Sequence, residues 1–292
     1  MSALAARVGA YYELSKPRII VLLLITTAAA MAMAARGLPA PALLLWTLVG
    51  GALAAASAGA FNCAYDADID GLMKRTRRRP IPEGRIGVPE AIAFAIAAGV
   101  AGFAVLYLLV NPLAAWLSLA GNLYYVVVYT IWLKRITPLN IVIGGAAGSV
   151  PPLVGWAAVT HSIGGPALGL FALIFLWTPP HFWSLSLMTE LDYAKAKIPM
   201  FPNVYGEQRT KREIVYYSII LVLASLALYP LHVMGAFYFA AAAVLGGFFV
   251  ADAIRTWRAN DATGAARRLF RFSLIYLALM CAVMVIDRIV VS

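Results

Sequence analysis

Long apolar runs separated by short polar segments dominate the sequence. Because a helix needs about 20 residues to cross the hydrocarbon core of a bilayer, each run predicts one transmembrane helix. The pattern predicts an all-α polytopic membrane protein, a bundle of nine transmembrane helices forming one domain over residues 1–292. The predicted spans are 18–36, 41–64, 88–110, 112–132, 139–159, 165–188, 214–232, 235–254 and 268–290. The first run is also compatible with a cleaved signal peptide, but it is long for one and eight more runs follow.

The composition excludes a soluble globular or disordered protein. Apolar residues make up 63% of the chain and charged residues 12%, whereas a soluble domain carries about 25% charged residues. The net charge of +10 would suggest nucleic acid in a soluble protein, but here the bilayer is the expected partner and nucleic acid is not. Cys63 and Cys281 lie in separate predicted spans, so neither a disulfide nor a thiolate metal site is expected.

The basic residues fall almost entirely on one side of the predicted spans. Of the 23 Lys and Arg residues, 21 lie in the amino-terminal segment or after an even-numbered span, and only Arg36 and Arg288 lie on the other side. Cytoplasmic loops of membrane proteins are enriched in Lys and Arg. We therefore predict an integral protein of a bacterial inner membrane or its equivalent, with a cytoplasmic amino terminus and the carboxyl terminus on the opposite side. The glycines Gly144 and Gly148 predict a close helix contact.

Three polar residues follow one another at helical spacing at the end of the second predicted span. Asn62, Asp66 and Asp70 lie at i, i+4 and i+8, which places them on one helix face. Carboxylates at a membrane surface need a cation or a basic partner, and oxygen ligands without His or Cys favour Mg²⁺. The alternative is a solvated acidic helix end paired with the basic run that follows. Asp68 points away from this face and is expected to be solvated or ion-paired.

A basic run follows the acidic residues directly. Its members are Lys74, Arg75, Arg77, Arg78, Arg79 and Arg85. Lys74 and Arg75 lie nearest the carboxylates, so we predict that they bind an anionic substrate beside the metal. The later arginines, Arg79 among them, are interpreted as anchors to anionic lipid.

A second charged cluster follows the sixth predicted span, on the same predicted side of the membrane. It contains Glu190, Asp192, Lys195 and Lys197. Two acidic and basic clusters at one end of a helix bundle could hold a second metal ion or the far side of a diphosphate. Any cytoplasmic loop of a membrane protein can carry four charges, so the cluster is weak evidence by itself.

One histidine is predicted to lie within the membrane. His181 follows Pro179 and Pro180 in the sixth span, where tandem prolines interrupt the backbone hydrogen bonds of a helix. An intramembrane histidine is a candidate functional residue, and the alternative is a histidine that only links two helices. We expect the prolines to open the helix and His181 to lie inside the bundle, about 16 Å of helix from Asp192.

Five motifs in register resemble the UbiA-type intramembrane prenyltransferases, and within them the branch that farnesylates haem. They are L-S-K-P-R at 14–18, N-C-A-Y-D-A-D-I-D-G-L-M-K-R-T-R-R-R-P-I-P at 62–82, Y-T-I-W-L-K-R-I-T-P-L-N at 129–140, W-T-P-P-H-F-W at 177–183 and D-Y-A-K-A-K-I-P-M-F-P at 192–202. The resemblance implies a bundle with a central cavity that opens near the cytoplasmic face. It implies Mg²⁺-dependent ionisation of farnesyl diphosphate and transfer of the farnesyl group to haem b, with addition of water. It also implies a downstream haem-modifying enzyme or oxidase assembly factors as partners.

The resemblance also assigns individual residues. Asn62, Asp66 and Asp70 match the first acidic motif residue by residue. Asp192 matches the second motif, but the residue four positions later is Ala196, so Glu190 or a water would have to complete a second metal site.

Further binding residues come from the same resemblance. Tyr129, Lys134 and Arg135 belong to the third motif and are expected to bind substrate. A carbocation formed from the prenyl chain could be stabilised by the rings of Tyr65, Tyr129 or Trp183.

Two other functions stay open from the sequence. A sister prenyltransferase would use a quinone-precursor acceptor, and the third and fourth motifs argue against it. A transporter would use Asp66, Asp70 and His181 as an ion path, but these acids gather at one membrane face and no inverted repeat is apparent.

Overall fold

The computed structural model describes residues 3–291, and among these residues it contains helices and turns but no strand. The α-helices are α1 Ala3–Leu14, α2 Pro17–Ala35, α3 Pro41–Tyr65, α4 Ala67–Asp70, α5 Val88–Leu109, α6 Pro112–Leu123, α7 Asn140–Thr160, α8 Gly165–Met188, α9 Glu190–Lys195, α10 Phe201–Tyr205, α11 Glu207–Ala227, α12 Ala236–Arg258 and α13 Ala262–Ile286. Helix α6 continues as a π-helix, Tyr124–Trp132, and a 3-10 turn, Leu133–Arg135. The predicted all-helical membrane fold is thus confirmed.

The described residues contain eight helices that are long and apolar enough to cross a membrane. The seventh predicted span, 214–232, is not among these eight; it corresponds to α11, which begins seven residues earlier, at Glu207. The first two turns of α11 are rich in charged residues, and this lowers its mean hydropathy below that of the other long helices. The helix is present and its buried residues pack in the main core, but the count of nine spans is not confirmed.

Proline and side-chain caps explain where several helices begin. Proline occupies one of the first two positions of α2, α3, α5, α6 and α8, where its missing N–H removes no helical hydrogen bond. Asn111 caps α6, because its Oδ1 accepts a hydrogen bond from the Ala114 amide at 2.9 Å. The boundaries of the apolar runs therefore follow local chemistry.

Helices α7 and α8 form the centre of the bundle. In each of them more than half of the most apolar 18-residue stretch is buried, whereas in the other candidate spans this buried share is 39% or less. Helix α2 packs along α7, and α8 contacts α7, α11 and α13. Both central helices contain tandem prolines, yet each continues through them, so the expectation that Pro179 and Pro180 open α8 is wrong.

Close contacts at glycine fix the position of α7. A side chain at Gly155 would overlap the backbone of Thr27 in α2, and a side chain at Gly144 would overlap the ring of Tyr129. At Gly148 a β-carbon would meet nothing within 4 Å. The predicted helix contact is therefore confirmed for Gly144 and wrong for Gly148.

We expect Gly155→Ala to lower the free energy of unfolding by about 1–3 kcal/mol, because the backbone of α2 must move away. Gly148→Ala, on the same helix, is the matched control and should leave stability unchanged or raise it slightly. Unfolding of the purified protein in mixed detergent micelles measures both values. Equal stability of the two variants would contradict the close α2–α7 contact.

Candidate functional site

The end of α3 carries the acidic residues predicted from spacing. The helix ends at Asp66, whose backbone (φ −86°, ψ 6°) leaves the helical conformation before the short helix α4 begins. Asn62, Asp66 and Asp70 are 4%, 0% and 1% exposed. They are buried side chains at the end of the bundle, which argues against a solvated acidic helix end.

Cations from three other segments neutralise these carboxylates. Asp66 forms an ion pair with Lys134, and Asp70 Oδ2 accepts from Arg79 Nη1 at 2.6 Å. Asn62 Nδ2 donates to Asp66 Oδ2 at 2.9 Å, while Asn62 Oδ1 accepts from Lys16 Nζ at 2.5 Å. The site therefore satisfies the requirement that buried charges be paired.

One oxygen of each carboxylate stays without a hydrogen bond. Asp66 Oδ1 and Asp70 Oδ1 are buried and have no hydrogen-bond partner, although Arg135 Nη2 lies 3.8 Å from Asp66 Oδ1. Buried carboxylate oxygens without partners are costly and are suitable ligands for a hard cation. Residues 3–291 contain no cluster of three or more His, Cys, Asp or Glu suited to a metal. The donor set fits Mg²⁺, which binds through one or two carboxylates and takes its other ligands from water and substrate phosphates.

Lys16 belongs to this site and was not assigned from the sequence. Its backbone is left-handed (φ 58°, ψ 57°) immediately before Pro17. Helix α3 lies so close at Gly59 that a β-carbon there would be 3.2 Å from the Ser15 carbonyl oxygen, and this approach brings Lys16 to Asn62. Burial lowers the pKa of Lys16. The L-S-K-P-R motif was the only sequence signal for this residue.

Arg79 is a second residue of the site, so its interpretation as a lipid anchor is wrong. The segment after α4 turns back on itself, and the Arg79 side chain, 23% exposed, reaches the buried Asp70. Its neighbour Arg78 is exposed. Spacing along the chain cannot separate these two arginines, because the turn alone decides which of them faces the carboxylates.

The two charged loops meet, as predicted. The Arg75 amide donates to Asp192 Oδ2 at 3.4 Å, and Arg75 Nη2 lies 3.5 Å from the Tyr193 hydroxyl. A small apolar cluster joins the same loops through Ile69, Met73 and Tyr193. The two clusters therefore lie at one end of the bundle.

The other charged residues of these loops face outward. Lys74, Lys195 and Lys197 are exposed, and within residues 3–291 none of them forms an ion pair. Glu190 is half-buried, and no contact of its carboxylate with Asp192 is found in the same range. The structure thus brings Asp192, but not Glu190, into contact with the first loop.

Lys134 and Arg135, in the third motif, pair mainly with different acids. Lys134 pairs with Asp66, whereas Arg135 forms two hydrogen bonds with Asp68, at 2.7 and 2.8 Å. This hydrogen bonding lowers the pKa of Asp68. The prediction that Asp68 is ion-paired, away from the other acids, is confirmed.

The three aromatic residues proposed to stabilise a carbocation differ in their surroundings. Tyr129 lies near Tyr125, with ring centroids 5.3 Å apart, and directly precedes Thr130, which accepts from Asn62. Tyr65, next to Asp66, is 40% exposed, and Arg135 lies over its ring at 4.7 Å. Trp183 is 1% exposed and packs in the core, so its ring is not available to a substrate.

His181 lies in the bundle interior, as predicted, but within residues 3–291 it makes no contact with the acidic residues. It is 7% exposed, and its Nδ1 lies 2.7 Å from Ser273 Oγ in α13. Trp177 and Phe270 stack on its two faces, with centroid separations of 4.2 and 4.5 Å. The link to α13 matches the alternative interpretation of this residue as a helix-joining histidine, and its possible role in binding is treated below.

Comparisons with known proteins point to one family. The sequence profile of the "UbiA prenyltransferase family" matches residues 23–275. A protoheme IX farnesyltransferase of Gloeobacter violaceus is 54% identical over 286 residues, which cover 98% of this chain and 94% of that protein.

Solved structures share the fold. A digeranylgeranylglyceryl phosphate synthase has a TM-score of 0.80 at 18% identity, covering 97% of this chain and 99% of its own. A UbiA homologue from Archaeoglobus fulgidus bound to GPP and Mg²⁺ has a TM-score of 0.64 at 18% identity, covering 94% of this chain and 99% of its own.

We expect Lys134→Ala to destabilise the metal-free protein by about 3 kcal/mol, because it leaves the fully buried Asp66 without its main cationic partner. Arg135→Ala is the matched control. It removes the close pair with the exposed Asp68 and only a 3.8 Å approach to Asp66, which keeps Lys134 as its partner, so its effect should stay at about 1 kcal/mol. Unfolding of each variant in mixed detergent micelles that contain a chelator measures both losses of stability. A Lys134 effect no larger than that of Arg135 would show that the buried pair is unimportant for stability.

Proposed function

The chain belongs to the UbiA prenyltransferase family, and we propose that it transfers a farnesyl group from farnesyl diphosphate to a vinyl group of haem b. Water is added in the reaction, and the products are haem O and diphosphate. The observation that carries the proposal is the 54% identity over nearly the whole chain to a protoheme IX farnesyltransferase. The buried, cation-surrounded carboxylates at one end of the bundle support it independently.

The residues suited to hold Mg²⁺ are Asp66 and Asp70, with Asn62 beside them. Their two unpartnered carboxylate oxygens support this assignment. Asp192, with Glu190, is our proposal for the second acidic group. Bound Mg²⁺ neutralises negative charge on the diphosphate as it leaves.

Cationic side chains of this chain bind and orient the diphosphate. We propose Lys74, Arg75, Lys195 and Lys197 from the two loops, with Lys134 and Arg135 from the segment after α6. Lys16 and Arg79 join this set, since each donates a hydrogen bond to a residue of the acidic motif. Preorganised cations stabilise the charge that develops on the leaving group.

The reacting carbon of the prenyl chain needs a dry, apolar environment, unlike the cationic surroundings of the diphosphate. When the C–O bond of an allylic diphosphate breaks, positive charge remains on the prenyl chain, and water must be excluded until it meets the acceptor. Tyr129, beside Thr130 at the site, offers an aromatic face to this charge. The acceptor is a vinyl π system, so carbon–carbon bond formation requires no strong base.

We further propose that the protein is one catalytic domain of a bacterial inner membrane or its equivalent. The one-sided distribution of Lys and Arg supports a cytoplasmic amino terminus and a site that opens to the cytoplasm through a central cavity. Haem O would then pass to a downstream haem-modifying enzyme or to oxidase assembly.

Replacing Asp66 or Asp70 with Asn should lower haem O formation about 100-fold or more, because the metal site loses a charged ligand. Asp68→Asn is the matched control and should retain most of the activity. Haem extracted from membranes containing equal amounts of each protein, analysed by mass spectrometry, measures the product. Activity of the Asp66 or Asp70 variant within threefold of wild type would refute the metal assignment.

Neutralising a diphosphate-binding cation should raise the KM for farnesyl diphosphate about tenfold while membrane insertion stays normal. The matched pair is Arg79→Gln, which removes the partner of Asp70, and Arg78→Gln, which changes an exposed neighbour. We expect the effect for Arg79 and little change for Arg78. Lys74→Gln, Arg75→Gln, Lys195→Gln and Lys197→Gln test the loop cations, and unchanged KM values in all four would exclude them.

A further inference from the structure

The imidazole of His181 is held by ring stacking and by a hydrogen bond to Ser273. Trp177 and Phe270 stack on opposite faces of the ring, and Phe182 lies nearly perpendicular to it, with ring centroids 5.5 Å apart. Trp177 Nε1 also donates to the Ser273 carbonyl oxygen at 2.8 Å, and the Ser273 hydroxyl lies 2.7 Å from His181 Nδ1. Helices α8 and α13 therefore fix both the position and the rotation of the ring.

Ser273 Oγ has two close polar neighbours, the Phe270 carbonyl oxygen and His181 Nδ1, each at 2.7 Å. A hydroxyl has one proton to donate, and a carbonyl oxygen can only accept. Both contacts are therefore hydrogen bonds at the same time only if Oγ donates to the carbonyl oxygen and accepts from Nδ1–H. This pairing favours the Nδ1–H tautomer, in which Nε2 carries a free lone pair.

Nothing in the described part of the chain uses that lone pair. Nδ1 makes the only hydrogen bond of the ring within residues 3–291, although His181 is more than nine-tenths buried. Nε2 has no hydrogen-bond partner in these residues, yet it is not fully buried, so this edge of the ring stays open to a ligand. A buried imidazole with one nitrogen fixed as a donor to a neighbour and the other free is the arrangement found in metal-binding histidines.

We propose that Ser273 is a positioning residue that holds His181 in the Nδ1–H form, so that Nε2 binds the iron of the haem substrate. This inference rests on the proposed function, because it takes haem as the acceptor. Iron favours imidazole ligands. In this tautomer Nε2 has no proton, so it cannot donate a hydrogen bond to the haem near the reacting vinyl group. The remaining use of the lone pair would be to accept a proton from the water that is added.

The test compares the binding of haem with that of metal-free protoporphyrin IX to the purified, full-length protein. Iron ligation should give wild type at least a tenfold tighter affinity for haem than for the metal-free porphyrin, together with a histidine-ligated Soret spectrum. Ser273→Ala should reduce this iron-dependent advantage about tenfold or more, and Ser273→Thr, which keeps the hydroxyl, should restore it. Ser218→Ala is the control, because it removes an equally buried serine hydroxyl that bonds only the Ile214 carbonyl oxygen.

A double-mutant comparison separates positioning from a loss of folding. If Ser273 acts through His181, then Ser273→Ala in a His181→Ala background should not change haem affinity further. An additional loss in that background, or equal wild-type affinities for haem and the metal-free porphyrin, would overturn the proposal.

The remaining outcomes distinguish this proposal from the proposed function. An iron-dependent advantage that vanishes in Ser273→Ala, in a protein that makes no haem O, would support the positioning role and refute the proposed reaction. An unchanged Soret spectrum in Ser273→Ala, with a product that lacks the added hydroxyl, would overturn iron ligation in favour of proton acceptance from water.

Discussion

The need to neutralise two buried carboxylates organises one end of this molecule. Asp66 and Asp70 lie at the end of an apolar helix where neither can be left unpaired. Their environment is built by Lys16, Lys134 and Arg79, which come from the amino-terminal segment, the segment after α6 and the turn after α4. Each contact ties a separate part of the chain to the end of α3 or to α4, so the packing of the bundle at this end and the chemistry of the site have a common cause.

Much of this arrangement follows from the sequence. Apolar runs located the long helices, and the spacing of the acidic motif located the site, because both depend on local periodicity. Lys16 and Arg79 were missed, since a left-handed backbone and a tight turn decide where their side chains reach. The seventh span, 214–232, is not confirmed as membrane-crossing, because α11 begins within a charged segment; its buried apolar residues pack in the main core.

Helix α8 passes through its tandem prolines without breaking. The missing N–H groups of the two prolines remove the helical donors of the Phe175 and Leu176 carbonyl groups, one turn earlier. Just beyond the prolines the Ser184 hydroxyl adds a hydrogen bond to the Pro180 carbonyl oxygen at 2.7 Å. The helix stays regular, and His181 keeps a defined orientation toward α13 instead of lining an opened segment.

The positions of the three cations along the chain also bear on biosynthesis. Lys16 precedes its partner Asn62 by 46 residues, Arg79 follows Asp70 by nine, and Lys134 follows Asp66 by 68. Because a chain is made from its amino terminus, Lys16 is already present when the ribosome completes α3, and Arg79 emerges soon afterwards. Asp70 therefore gains its partner as soon as the turn after α4 has been made, whereas Asp66 waits for Lys134 until α6 is complete. The two carboxylates are thus neutralised at different stages of synthesis.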